Sequence, residues 1–150
     1  MNYLDTSALI KRFVAESGSS LVRILVEHHG PVATSTVAYA EICSGLSRRK
    51  REASISTAQY ALACRQFEAE WPAYIRVNLS DEILLLARDL IARHPLRAFD
   101  AIHLASALEL KNALGVEITF CGADERQLQA AAIEHLKALN ADTAPSAPLD

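Results

Sequence analysis

Residues 96–132 read LRAFDAIHLASALELKNALGVEITFCGADERQLQAAA, and this stretch decides the fold. Helical periodicity from about Ala98 to Asn112 stops near Gly115, a residue suited to a left-handed helix terminator. The short apolar run Glu117 to Cys121 then reads as a strand, and Asp124 opens another short helix through Ala132. Helix, strand and helix in such close succession form a repeating unit of an α/β fold with a parallel sheet.

The same alternation extends toward the N-terminus. Asn2 to Leu4 is a short strand entering a turn at Asp5-Thr6-Ser7, and helical periodicity follows in Ala8 to Val14 and Ser19 to His28. Gly30-Pro31 breaks that helix, and Val32 to Thr34 make a second strand. Ser35 or Thr36 caps a helix to about Arg51, a further helix spans Ser56 to Glu70 before Pro72, and Tyr74 to Val77 form a third strand. Ser80, followed by Asp81 and Glu82, has the composition of a helix start, and that helix ends near His94-Pro95. His135 to Leu139 reads as a fifth, edge strand. The expected architecture is α/β, a three-layer α/β/α sandwich around a central, mainly parallel sheet of about five short strands. Ligand sites are then expected at the carboxyl ends of the strands. Residues 1–140 form one domain on this reading, and 141–150, ADTAPSAPLD, a disordered tail.

With 51% hydrophobic and 22% charged residues among 150, the chain has ample material for one core. Its longest strongly apolar run, Ile83 to Ala87, is far short of the roughly 20 residues a membrane span needs, and Asp5 and Lys11 interrupt any signal-like stretch. Cys43, Cys64 and Cys121 show no CxxC spacing and read as reduced thiols, which places the protein in the cytoplasm without a membrane partner. A net charge of −3 weighs against nucleic-acid binding. Yet Arg48, Arg49, Lys50 and Arg51 are consecutive, either a basic ridge for phosphates or a helix end whose cations complement its dipole.

Four acids fall at suggestive places on this map. Asp5 follows the first strand and Asp124 the fourth, so both belong on the ligand-binding edge. Asp100 lies in the first turn of its helix between apolar neighbours, and the helical neighbours of Glu41 are Val37, Ala38, Ser44 and Gly45, a packing face. Each has a plain structural role open to it: Asp5 and Asp124 as helix caps, Asp100 as a first-turn acid, Glu41 as a partner for an arginine such as Arg97. Gathered together, they need a cation. Two carboxylates about 5 Å apart repel by about 3 kcal/mol at an effective dielectric near 20. An all-oxygen carboxylate site suits magnesium or manganese better than zinc, and such a site serves phosphodiester hydrolysis.

The chain resembles the PIN-domain family, and within it the VapC-like toxins. MNYLDTSALIKRF at 1–13 is similar to the first strand and its aspartate turn, and TSTVAYAEICSGL at 34–46 to the segment with the helical glutamate. LRAFDAIHLASAL at 96–108 resembles the third motif and ITFCGADERQLQAAA at 118–132 the fourth, all in family order. The resemblance implies that Asp5, Glu41, Asp100 and Asp124 are a catalytic acidic quartet, with Asp5 and Asp100 binding Mg2+ or, in its place, Mn2+. It implies Ser7 as the small hydroxyl beside the site and His103 as a supporting residue. It further implies an RNA substrate, a homodimer and a cognate antitoxin whose peptide occupies the groove. Other readings are a housekeeping RNA-processing nuclease and a non-catalytic binding module of this family. A haloacid-dehalogenase-like phosphotransferase would carry a second aspartate where this chain has Ser7.

Overall fold

The structure, a computed structural model, describes residues 1–143. Five strands, β1 (Asn2–Leu4), β2 (Val32–Ser35), β3 (Ile75–Val77), β4 (Thr119–Gly122) and β5 (Lys137–Asn140), form one sheet of order β3-β2-β1-β4-β5. Every pairing is parallel, so the expected sandwich and its mainly parallel sheet are present, with β5 on an edge as read from the sequence. Between the strands run α1 (Thr6–Leu9), α2 (Ser19–His28), α3 (Val37–Arg51), α4 (Thr57–Glu70), α5 (Asp81–Arg93), α6 (Ala98–Leu114) and α7 (Glu125–Ile133).

Short-range chemistry explains most of the boundaries. Ser56 and Gln59 form a reciprocal capping box, with Gln59 N donating to Ser56 Oγ at 3.1 Å and Ser56 N to Gln59 Oε1 at 2.7 Å. Ser80 Oγ accepts from Ile83 N at 3.3 Å, and Gly115 ends α6 at φ 63°. The first helix departs from expectation. Asp5 caps it, so α1 begins at Thr6 and, after one turn, tightens into a 3₁₀ segment over Ile10–Arg12 rather than running as one helix to Val14.

The pleat sends neighbouring residues to opposite layers. Leu4, Val32 and Cys121 join the core under α1–α4, while Tyr3, Ala33 and Phe120 join the core under α5–α7. Tyr3 stacks on Phe120, centroids 5.5 Å apart. Because β1 pairs with β2 on one side and β4 on the other, the strand order reverses at β1, and a crevice opens beyond the carboxyl ends of β1 and β4. Ala141 and Asp142, assigned to the tail by sequence, pack on the body instead. Ala141 is buried and its N–H donates to Gly122 O at 2.7 Å, and Lys11 Nζ reaches Asp142 Oδ1 at 2.6 Å. Residues 144–150 lie outside the described part.

Candidate active site

Asp5 leaves β1 in extended conformation and is almost wholly buried, 4% exposed. Its Oδ1 accepts from Ala8 N at 2.9 Å and from Ser7 Oγ at 2.7 Å, so the side chain is the helix cap that spacing allowed and is also fixed in rotamer. Ser7 Oγ accepts in turn from Ala123 N at 2.9 Å, tying the turn after β1 to the turn after β4. Gly122 is needed at that junction: a Cβ there would stand 3.1 Å from Asp5 Oδ2. Burial pushes the Asp5 carboxyl above the ordinary carboxylate value, and the charge of Asp100 adds to the push. His103 and the donors Ser7 and Ala8 oppose it.

Glu41 reaches the same crevice from α3. Its partner is not Arg97, as the sequence suggested. Glu41 Oε1 accepts from Thr6 Oγ1 at 2.7 Å and from His103 Nε2 at 2.8 Å, with Thr6 Oγ1 itself 3.1 Å from that nitrogen. His103 Nδ1 lies 3.0 Å from the hydroxyl of buried Tyr3. This pattern makes Nε2 the donor to Glu41 and leaves Nδ1 to the phenol. Burial raises Glu41, but the hydrogen bonds and charge of His103, with the bond from Thr6, outweigh it and hold the carboxyl below its usual value. His103 and Ser7 thus have defined places. Thr6 and Tyr3 were not foreseen. The Asp-Thr-Ser turn signalled Thr6 at most by adjacency, and no local pattern links Tyr3 to a histidine 100 positions away.

Asp100, in the first turn of α6, accepts from Arg97 Nε at 3.0 Å. Its backbone carbonyl accepts from Gln127 Nε2 at 3.2 Å, so fully buried Gln127 ties α6 to α7. Gln127 Oε1 has no partner among the described residues. Asp124 caps α7, its Oδ1 accepting from Gln127 N at 3.0 Å. Asp5, Ser7, Glu41, Asp100 and His103 line one groove of about 720 Å³, whereas Asp124 stands beside it, next to the lining residue Ala123. Arg97 feels the charges of Asp100, Asp124 and Glu41 together, Asp100 foremost through its hydrogen bond.

The basic run divides. Arg48 is exposed on the groove wall. Arg49 also lines it but forms a forked pair with Glu16, at 3.0 Å between Nη2 and Oε2. Lys50 sits over the Tyr60 ring at 4.8 Å, and Arg51 is exposed away from the groove lining.

Asp5 Oδ2, Glu41 Oε2 and Asp100 Oδ1 have no protein donor among the described residues. Three unengaged carboxylate oxygens around one groove fit a hard divalent cation as a donor set. Among the described residues no three His, Cys, Asp or Glu side chains meet closely enough to hold an ion as they stand. Of the three acids, Asp100 is the one paired with an exposed arginine, Arg97.

The PIN domain family model matches residues 3–120. Ribonuclease VapC49 of Mycobacterium tuberculosis (strain ATCC 25618 / H37Rv) is 36% identical over 106 residues, covering 71% of this chain and 74% of that protein. Ribonuclease VapC46 of the same strain is 33% identical over 129 residues, 86% and 88% of the two chains. Among solved structures, FitAcB from Neisseria gonorrhoeae has a TM-score of 0.66 at 14% identity, covering 94% of this chain and 98% of its own. A toxin-antitoxin complex from Klebsiella pneumoniae has a TM-score of 0.63 at 18% identity over the same shares. At such identities the structural likeness speaks to the fold alone.

Proposed function

The chain belongs to the PIN-domain family, and on that premise we propose that it is a divalent-metal-dependent ribonuclease, the toxin of a toxin–antitoxin pair. The observation that carries this reading is the convergence of Asp5, Glu41 and Asp100, from three separate elements, on one groove at the carboxyl edge of the sheet. The names of the curated relatives support it.

Asp5 and Asp100 would hold Mg2+ or Mn2+, with Glu41 and Asp124 available directly or through water. The ion would orient water and offset charge on the scissile phosphate. The protein's own groups set the rest. Ser7 and Ala8 immobilise Asp5 and leave its Oδ2 to face a ligand. His103 and Thr6 fix Glu41 through one oxygen, and its other oxygen is a carboxylate able to take a proton from an attacking water. Arg48, exposed on the groove wall, is placed to meet a backbone phosphate, which positions RNA without reading its sequence.

Binding of a cognate antitoxin across this groove would cover the acids. The exposed Leu84, Leu85 and Ile91 of α5 suit burial by a second copy, in keeping with a homodimer. A cytoplasmic location accords with three free thiols. No helix among the described residues is long and apolar enough to cross a membrane.

The test is cleavage of a mixed RNA pool by antitoxin-free protein with magnesium, with manganese and with EDTA. Metal-dependent cutting is expected, lost in Asp5→Asn and Asp100→Asn while their melting curves stay cooperative. Full activity in either folded variant would overturn the assignment of the acids.

A further inference from the structure

A second groove, of about 480 Å³, lies at the β3 edge of the sheet, lined by Thr36, Tyr39, Trp71, Tyr74, Arg76 and Asn78. Thr36 directly follows β2 and Asn78 directly follows β3, so the groove reaches the same carboxyl edge as Asp5 after β1. With strands about 4.8 Å apart, the ends of β1 and β3 are separated by about 10 Å. The first turns of α3 span the gap, with Thr36 and Tyr39 toward this groove and Ala40 and Glu41 lining the acidic one.

Alternation along β3 puts Tyr74, Arg76 and Asn78 on one face. Trp71 is half-buried there, its ring backed by Phe67 at 5.4 Å and Tyr39 at 5.3 Å. Exposed Arg76 lies over the Trp71 ring, its guanidinium carbon 5.8 Å from the centroid, and has no carboxylate partner among the described residues. The exposed Asn78 amide likewise makes no hydrogen bond to a described residue. The nearby acids are engaged: Glu70 by Arg12 and the Tyr74 hydroxyl, Glu68 by the Tyr39 hydroxyl. The groove therefore combines a braced indole, a cation over it that no carboxylate neutralises and a free amide.

We propose that this groove is a base-binding subsite for single-stranded RNA, in which a base packs against the Trp71–Arg76 pair while Asn78 meets its edge. The proposal rests on the ribonuclease reading for its substrate. Stacking on an aromatic ring with help from arginine is the sequence-tolerant way proteins hold unpaired bases. A duplex keeps its bases inside the helix and presents none to such a groove, so the subsite selects single strands. Because the first turns of α3 line both grooves, a base held here lies beside the acidic groove rather than in it.

Trp71 is the chain's one tryptophan, so its fluorescence reports on this groove alone. The experiment titrates the Asp100→Asn protein, with magnesium, with a short single-stranded oligoribonucleotide and with the duplex of the same sequence. Saturable quenching by the single strand but not by the duplex is expected, weakened by Arg76→Ala. In otherwise wild-type protein, Arg76→Ala and Trp71→Ala are expected to raise KM for single-stranded RNA by about 5- to 150-fold with kcat nearly unchanged. Trp71→Phe retains a stacking face and should recover most of that loss. Because Arg76 is exposed and unpaired, its replacement leaves the fold intact even if Trp71→Ala does not. Cleavage of RNA with unchanged KM in Arg76→Ala and no quenching would overturn the subsite and leave the nuclease standing. Absence of cleavage with every RNA would instead strike the ribonuclease reading, and the titration would still decide the groove. Quenching by a protein partner but not by RNA would also overturn the proposal.

Discussion

At the scale of single residues, the site is defined by which oxygen of each acid is already engaged. Glu41 has one oxygen fixed by Thr6 and His103, and His103 is fixed from behind by Tyr3. Groups that orient a ligand acid in this way typically matter by 10- to 100-fold. His103→Leu should therefore lower kcat by that factor with little change in KM. His103→Gln, whose amide nitrogen falls near the position of Nε2, should recover much of it. If Gln and Leu behave alike, the donor to Glu41 is not what His103 supplies. That Asp5, Glu41 and Asp100 share one groove was legible in the sequence, because each sits at an element boundary or on a helix face that pattern reveals, whereas Asp124 stands beside the groove. Their partners were not. Arg97 was matched to Glu41 when it binds Asp100, because helical spacing makes Asp100 its neighbour and a distant histidine competes for Glu41.

At the scale of elements, capping serine, helix-ending glycine and alternating apolar runs placed the strands and helices within a few residues. The errors have local physical causes. Asp5 starts α1 earlier than periodicity indicated, and a tight segment then ends it. Strand β4 runs through Gly122, a residue that strand propensity disfavours but that close approach to Asp5 demands. The basic run read either as a ridge or as a helix end, and because a helix turns consecutive residues to different sides only Arg48 and Arg49 line the groove. The junction of β1 and β4 yields its own expectation. In Gly122→Ala the new methyl, 3.1 Å from Asp5 Oδ2, must displace that carboxylate. Metal affinity measured by calorimetry should fall at least severalfold, while the melting temperature drops by only a few degrees. Unchanged affinity would mean that the Asp5 rotamer is not what the glycine protects.

At the scale of the whole molecule, two neutral acids lie deep in the two cores. Burial pushes the Cys121 thiol up to about 12, with the charge of Asp5 pushing the same way, and burial also holds the Tyr3 phenol well above its ordinary value. Both ionise first in the unfolded chain, which therefore binds fewer protons than the folded one once pH exceeds about 9. Each such group then removes about 1.4 kcal/mol of stability per pH unit up to its folded value. Melting temperature should fall steeply above pH 9, and Cys121→Ala, though less stable at neutral pH, should show a shallower fall. Parallel slopes for the two proteins would refute the part given to Cys121. Sheet order has a consequence of another kind. The central strand is contributed by the first residues, yet its partner β4 comes near the end, and Ser7 meets Ala123 across 116 positions. A ribosome making this chain at roughly 5–20 residues per second holds Asp5 for several seconds before Asp100 and Gly122 exist beside it. The acidic groove is thus assembled only once α6 and β4 have been made, long after Asp5 itself.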